Sequence, residues 1–190
     1  MFALPLDALA GRLLVASPLL VDENFHRTVV LICAHGADGA FGLVLNRALP
    51  APVGELLPAW GSRVVDPASI FRGGPVLTDR ALALARIAPR VDGEALAGWD
   101  RIAGRVGLLD LDVHPSALAG IEAVRIFSGH AGWSAGQLEG ELMGEAWFVV
   151  DSEPTDAFDP DPESLWRRVL RRQAGRLALF ANYPLDVTLN

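Results

Sequence analysis

Short runs of branched and aliphatic residues, each closed by Pro, Gly, Asn or Asp, recur along the chain and set its expected elements. Leu13 to Ala16, Thr28 to Ala34 and Gly42 to Leu45 read as strands, the last two joined as a hairpin through Gly36-Ala37-Asp38-Gly39. Pro52 opens a brief helix through Leu57. Ser69-Ile70-Phe71 reads as a strand ended by Arg72-Gly73-Gly74-Pro75. Ala81 to Ile87 and Gly107 to Leu111 follow as strands, although the alanine and leucine of the first leave helix open. Asp92 to Arg105 reads as irregular or short helix, and His114-Pro115-Ser116 opens a small helix ending at Gly120. Ala123 to Phe127 is a buried strand, Gly136 to Glu145 a helix and Trp147 to Val150 a strand. Asp161-Pro162-Glu163 starts a helix to Arg172, with a capping carboxylate, a first-turn proline and an acid near the positive dipole end.

Strands thus interleave with a few short helices, without the regular alternation of a doubly wound parallel sheet. The pattern predicts an α/β chain of the α+β type, with a mixed sheet in one domain over residues 1–190. Within it, Ile126 to Glu139 reads as strand, glycine-rich bend and helix, with His130, Trp133 and Ser134 in the bend. Such bends collect binding groups, because amides at a helix start are unpaired and rigid elements hold the side chains.

A hydrophobic content of 51% argues for a packed core rather than disorder. The formal charge of −7 opposes general attraction to nucleic acid, which needs clustered cations to displace counterions. All 16 basic residues are arginine, which excludes a Schiff-base or P-loop lysine. Asp7 precedes the opening apolar run and Arg12 and Pro18 interrupt it, so no signal peptide is read there. No run approaches the ~18 residues needed to span a bilayer. The single cysteine, Cys33, lies in an apolar strand and reads as a small buried hydrophobe. A cytoplasmic location without membrane association is expected.

Gly132-Trp133-Ser134-Ala135-Gly136 matches the G-x-S-x-G nucleophile pattern, but His26, His35, His114 and His130 all precede Ser134, the reverse of α/β-hydrolase order. The histidines form no close pair with one another or with cysteine, so no metal site is read. His130 follows a strand end, where an imidazole with an ordinary pKa near ~6.5 can exchange protons. Arg72-Gly73-Gly74-Pro75 couples a cation to a turn whose amides can face an anion. Leu165, Trp166, Val169 and Leu170 form one helix face and Arg167, Arg168, Arg171 and Arg172 the other, with Glu163 spaced to pair with Arg167.

Five ordered blocks carry a wider resemblance: Gly11 to Pro18, Asn24 to Leu31, Gly42 to Arg47, Gly73 to Val76, and Gly129 to Trp133 continuing through Gly136 to Glu139. With these the chain resembles the bacterial YqgE/AlgH family over nearly its whole length. The resemblance implies one compact α/β domain with a partly barrel-like sheet flanked by helices. It brings no catalytic residue, substrate or cofactor with it, though some members are named as regulators of alginate production or transcription.

The leading expectation is a non-catalytic binding or regulatory protein. Its polar cleft would gather Asn24, Arg27, Asn46, Arg47, Arg72, Gly73, His130, Trp133 and Gln137 from strand ends and receive a small anion or a protein partner. This requires Asn46-Arg47, Arg72-Gly73 and His130-Gly132 to share one surface. A second reading is a hydrolase using His130 as general base, with Arg72 or helix-start amides stabilising negative charge. A third, a transcriptional regulator, rests on the arginine face of the last helix and on the naming of relatives. No motif specifies a cofactor, and no pattern specifies an oligomeric state.

Overall fold

The computed structural model describes residues 9–184. Asp7 and the start of the opening apolar run lie outside them. Strand β1 (Arg12–Ala16) sits between β10 (Trp147–Asp151) and β2 (Val29–Gly36), and β2 turns into β3 (Gly39–Val44). The expected hairpin forms at the expected turn. Beyond β3 the order continues through β9 (Ile121–Ser134), β6 (Val76–Ile87), β8 (Val106–Leu109) and β7 (Trp99–Ala103). Two short strands, β4 (Ala48–Pro52) and β5 (Ser69–Arg72), branch from β9. Every pairing is antiparallel except β5 with β9. The sheet curls into a half-barrel, and the fold is α+β.

Alternation along the strands divides the core. Leu13, Leu31, Leu43, Phe71, Leu84 and Phe127 face the inside of the curl, where α3 (Leu165–Arg171) contributes Trp166, Val169 and Leu170. The opposite face carries two separate clusters. Leu14, Val30, Ile32, Trp133 and Trp147 pack with Leu138 of α2 (Gln137–Met143), and Ile70, Ala83, Val124 and Ile126 pack with Trp60 and Trp99. The start of α3 follows its sequence signature: a single 3-10 turn, Pro162–Ser164, precedes it, and Asp161 accepts from the Ser164 amide at 3.4 Å. The brief helix after Pro52 is α1 (Val53–Leu56), and a last helix, α4 (Arg176–Phe180), follows α3.

Two expectations change. Asp92 to Arg105 contains strand β7, anchored by buried Trp99, whose indole donates to the Ala85 carbonyl at 3.3 Å. The bend expected after Phe127 is not where the strand ends. β9 runs through Ser134, because Gly129, at φ +68°, bends the strand opposite a bulge in β6 without terminating it.

That bend resets the phase of β9. Before it, Ala123 and Phe127 face inward, while Val124 and Ile126 face outward. After it, Ala131 and Trp133 join the outer cluster, and His130 turns to the inner side against Phe41, ring centroids 5.0 Å apart.

Candidate functional site: a groove where β4, β5, β6 and β9 meet

The junction is drawn tight by backbone. The Arg72 amide donates to the Arg47 carbonyl at 2.8 Å, Gly73 N–H to Ser128 O at 2.9 Å, and Val44 N–H to Gly73 O at 2.8 Å. Gly73 is required by space, since a Cβ there would lie 2.2 Å from the Gly129 carbonyl oxygen. Asn46 clamps the neighbouring loop: its Oδ1 accepts from the Val29 amide and its Nδ2 donates to the Arg27 carbonyl, both at 2.9 Å. The Arg47 guanidinium donates to the His26 carbonyl, bringing the loop before β2 to the same place.

An open groove of 320 Å³ lies on this junction, lined by Asn24, Leu49, Arg72, Gly74, Pro75, Thr78 and Ser128. Arg72 and Ser128 are register partners on β5 and β9. Ser128 Oγ donates to the Thr78 carbonyl at 2.6 Å. Burial lowers the pKa of Arg47, and the like charge of Arg72 lowers it further. Neither arginine has a carboxylate within ion-pair distance among the described residues, whereas Arg12, Arg86, Arg105, Arg168 and Arg172 all do.

The nine residues expected in one cleft occupy four environments. Asn24, Arg72 and Gly73 meet at the groove, with Arg47 beside it and Asn46 buried beneath. Arg27 is buried over Trp166, 4.8 Å from the ring centroid, and donates to the Tyr183 and Pro184 carbonyls. Its pKa is lowered by burial first and by Arg167 second. His130 faces Phe41 on the inner side of β9, and burial lowers its pKa. Trp133 and Gln137 belong to a fourth group at α2. There Glu141 Oε2 accepts from the indoles of Trp133 and Trp147 at 2.9 and 2.8 Å, and its Oε1 accepts from Gln137 Nε2 at 3.0 Å.

Ser134 closes that α2 network. Its amide and hydroxyl donate to Gln137 Oε1 at 3.1 and 3.2 Å, and although it ends β9 two residues before α2, its backbone is not in the strained positive-φ region and its hydroxyl is engaged by Gln137 instead of a histidine. The G-x-S-x-G match therefore lacks the geometry of a nucleophile. His35, on β2, bonds Glu139 at 3.0 Å and shares no pair with another histidine among the described residues, which also hold no cluster of metal-ligating side chains. No described helix is long and apolar enough to cross a membrane.

The chain matches the AlgH-like family profile (DUF179) over residues 13–178. It belongs to the AlgH-like family. A UPF0301 protein of Streptomyces coelicolor is 50% identical over 186 residues, covering 97% of this chain and 96% of that protein. A relative from Mycobacterium marinum is 41% identical over 182 residues, covering 95% and 90%. The crystal structure of a Corynebacterium diphtheriae protein superposes with a TM-score of 0.88 at 31% identity, covering 92% of each chain. The solution structure of the AlgH protein from Pseudomonas aeruginosa gives 0.69 at 31% identity, covering 98% and 99%.

On this AlgH-like chain, residues from four of the five blocks converge at the junction: Asn24, Asn46-Arg47, Gly73-Gly74 and Gly129. Sequence reasoning missed Thr78 and Ser128, which carry no motif, and Glu141, whose i,i+4 spacing from Gln137 was a legible signal. It also missed Arg125, fully buried over Phe71 and bonded to the Asp66 and Asp159 carbonyls, with burial pushing its pKa down to about 10. The arginine face of α3 is largely occupied within the molecule. Arg168 pairs with Asp159 and Asp161, Arg172 with Asp156, and Arg167 donates to the Ala181 carbonyl. The Glu163–Arg167 pair does not form.

Proposed function

We propose that this protein is a non-catalytic binding protein that receives an anionic group in the groove lined by Arg72, with Arg47 beside it. The observation that carries the reading is the pair of neighbouring guanidinium groups with no carboxylate partner among the described residues, in a chain of net charge −7. Keeping two like charges together costs free energy that an incoming anion recovers. Asn24, Thr78 and Ser128 add amide and hydroxyl groups for orientation, while the lining contains no histidine, cysteine or carboxylate to move a proton. That composition favours recognition over turnover.

Amide and guanidinium NMR shifts followed during titration with inorganic phosphate and with citrate test the reading. Saturable, salt-sensitive shifts at Asn24, Arg72 and Ser128 are expected, and the double variant Arg47→Gln/Arg72→Gln should lose them. Identical shifts in wild type and variant, or none in either, would refute it.

A further inference from the structure

The strand that borders the groove contains an excursion that packing does not explain. β6 pairs with β9 at Val76↔His130 and resumes at Ala81↔Ser128, so Leu77, Thr78, Asp79 and Arg80 stand opposite Gly129 alone. Leu77 adopts φ +50°, the left-handed region that side chains with a Cβ disfavour, yet its side chain is 57% exposed. Val76 beside it is 39% exposed. A glycine at 77 would relieve the backbone, at the loss of the smaller, covered part of the leucine side chain. Leucine there is unfavourable twice over in the isolated chain, the pattern expected where strain and exposed apolar surface serve a contact. The excursion is held in place, because Ser128 Oγ, itself in the groove lining, donates to the Thr78 carbonyl.

Resting on the anion-binding reading, we infer that the occupant of this groove is an acidic peptide segment of another protein, with a carboxylate on Arg72 and an apolar side chain against Leu77 and Pro75. Charge complementarity selects the acidic character, since the Arg72 guanidinium lines the groove without a carboxylate partner among the described residues and the charge of Arg47 lies close enough to be felt. The distribution of apolar surface selects an extended segment over an enclosed small molecule, because Leu49 and Pro75 line the groove beside Arg72 and exposed Val76 and Leu77 continue that surface outside the lining. Apolar anchors beside a cation match a chain in which acidic and aliphatic side chains alternate, as successive side chains of an extended segment do.

Fluorescence anisotropy with labelled peptides decides the point. The probes are an alternating glutamate–leucine peptide, a glutamate–serine peptide of equal length and charge, and an oligothymidylate of equal charge, with inorganic phosphate followed in parallel by NMR. The glutamate–leucine peptide is expected to bind about tenfold more tightly than the glutamate–serine one, the gain of burying roughly one leucine contact. Leu77→Gly should abolish that tenfold preference while binding of the glutamate–serine peptide stays unchanged, and a merely structural role for Leu77 would weaken both peptides together. Arg72→Gln should weaken both peptides. Equal binding of the two peptides, or an unchanged preference in Leu77→Gly, would overturn the inference while phosphate shifts at Arg72 kept the anion reading intact. Absence of both peptide and phosphate binding would overturn both. Tighter binding of the oligothymidylate would assign the groove to nucleic acid and overturn the peptide.

Discussion

Replacing Glu141 tests how the strand that carries the groove is fixed to the rest of the molecule. One carboxylate oxygen accepts from two indoles, Trp133 on β9 and Trp147 on β10, which are 5% and 4% exposed. Glu141→Ala leaves both N–H groups without an acceptor under α2. Each orphaned buried donor costs about 1–3 kcal/mol, so the substitution should destabilise by about 2–6 kcal/mol. For a chain of this size that lowers Tm by roughly 4–24 °C. Glu141→Gln can still place one oxygen between the indoles and loses mainly the charged character of the bonds, costing about 1 kcal/mol. Urea unfolding followed by tryptophan fluorescence gives both values, with the slope checked for constancy. The indole resonances of Trp133 and Trp147 should move and those of the other three tryptophans stay. A loss below about 0.5 kcal/mol for Glu141→Ala, the range of ordinary surface changes, would refute the reasoning.

Three further outcomes are expected. Burial pushes the Cys33 thiol up to about 12, so at pH 8 it stays protonated in the folded protein, and labelling by a thiol reagent should proceed at the rate of unfolding. Fast stoichiometric labelling without denaturant would contradict this. Gly73→Ala puts a Cβ 2.2 Å from the Gly129 carbonyl oxygen and should cost about 2–4 kcal/mol in urea unfolding as β5 and β9 are forced apart, whereas a neutral result would show that the two strands yield. Burial lowers the His130 pKa below its ordinary value of 6.5, so the unfolded chain binds the proton more readily. Stability should therefore fall as pH drops below 6.5, level off beneath the folded value, and lose this component in His130→Gln. An unchanged pH profile in that variant would remove His130 as the source.

Strand identity was legible wherever an apolar run was bounded by turn residues, as at Val29 to Gly39, where hairpin and turn follow the local pattern. β7 was not, because Trp99-Asp100-Arg101-Ile102-Ala103 has mixed polarity and becomes a strand only by pairing with β8 and burying Trp99. The same limit applies to the groove. Asn24, Arg47 and Arg72 could be selected as polar residues at strand ends, but Ser128 and Thr78 join them through the register of β9 with β5 and β6, a long-range property that no local window contains.

His130 shows how one backbone angle redistributes a set of residues that sequence spacing groups together. Ser128 and His130 are two apart, and in an uninterrupted strand they would share a face, placing an imidazole beside Arg72. Gly129 at φ +68° turns the backbone between them and breaks this parity. Ser128 stays with Arg72 on the outer face, and the His130 ring turns inward onto Phe41. His130 and Arg72, which the general-base reading pairs, therefore stand on opposite faces, and the groove lining joins cation, amide and hydroxyl groups to Leu49 and Pro75. A chain with a non-glycine residue at 129 would meet the Gly74 carbonyl oxygen at 2.7 Å and the Val76 carbonyl oxygen at 2.9 Å. The glycine that gives the segment its loop-like appearance in sequence is thus what lets the strand continue and what sets the chemical composition of the groove.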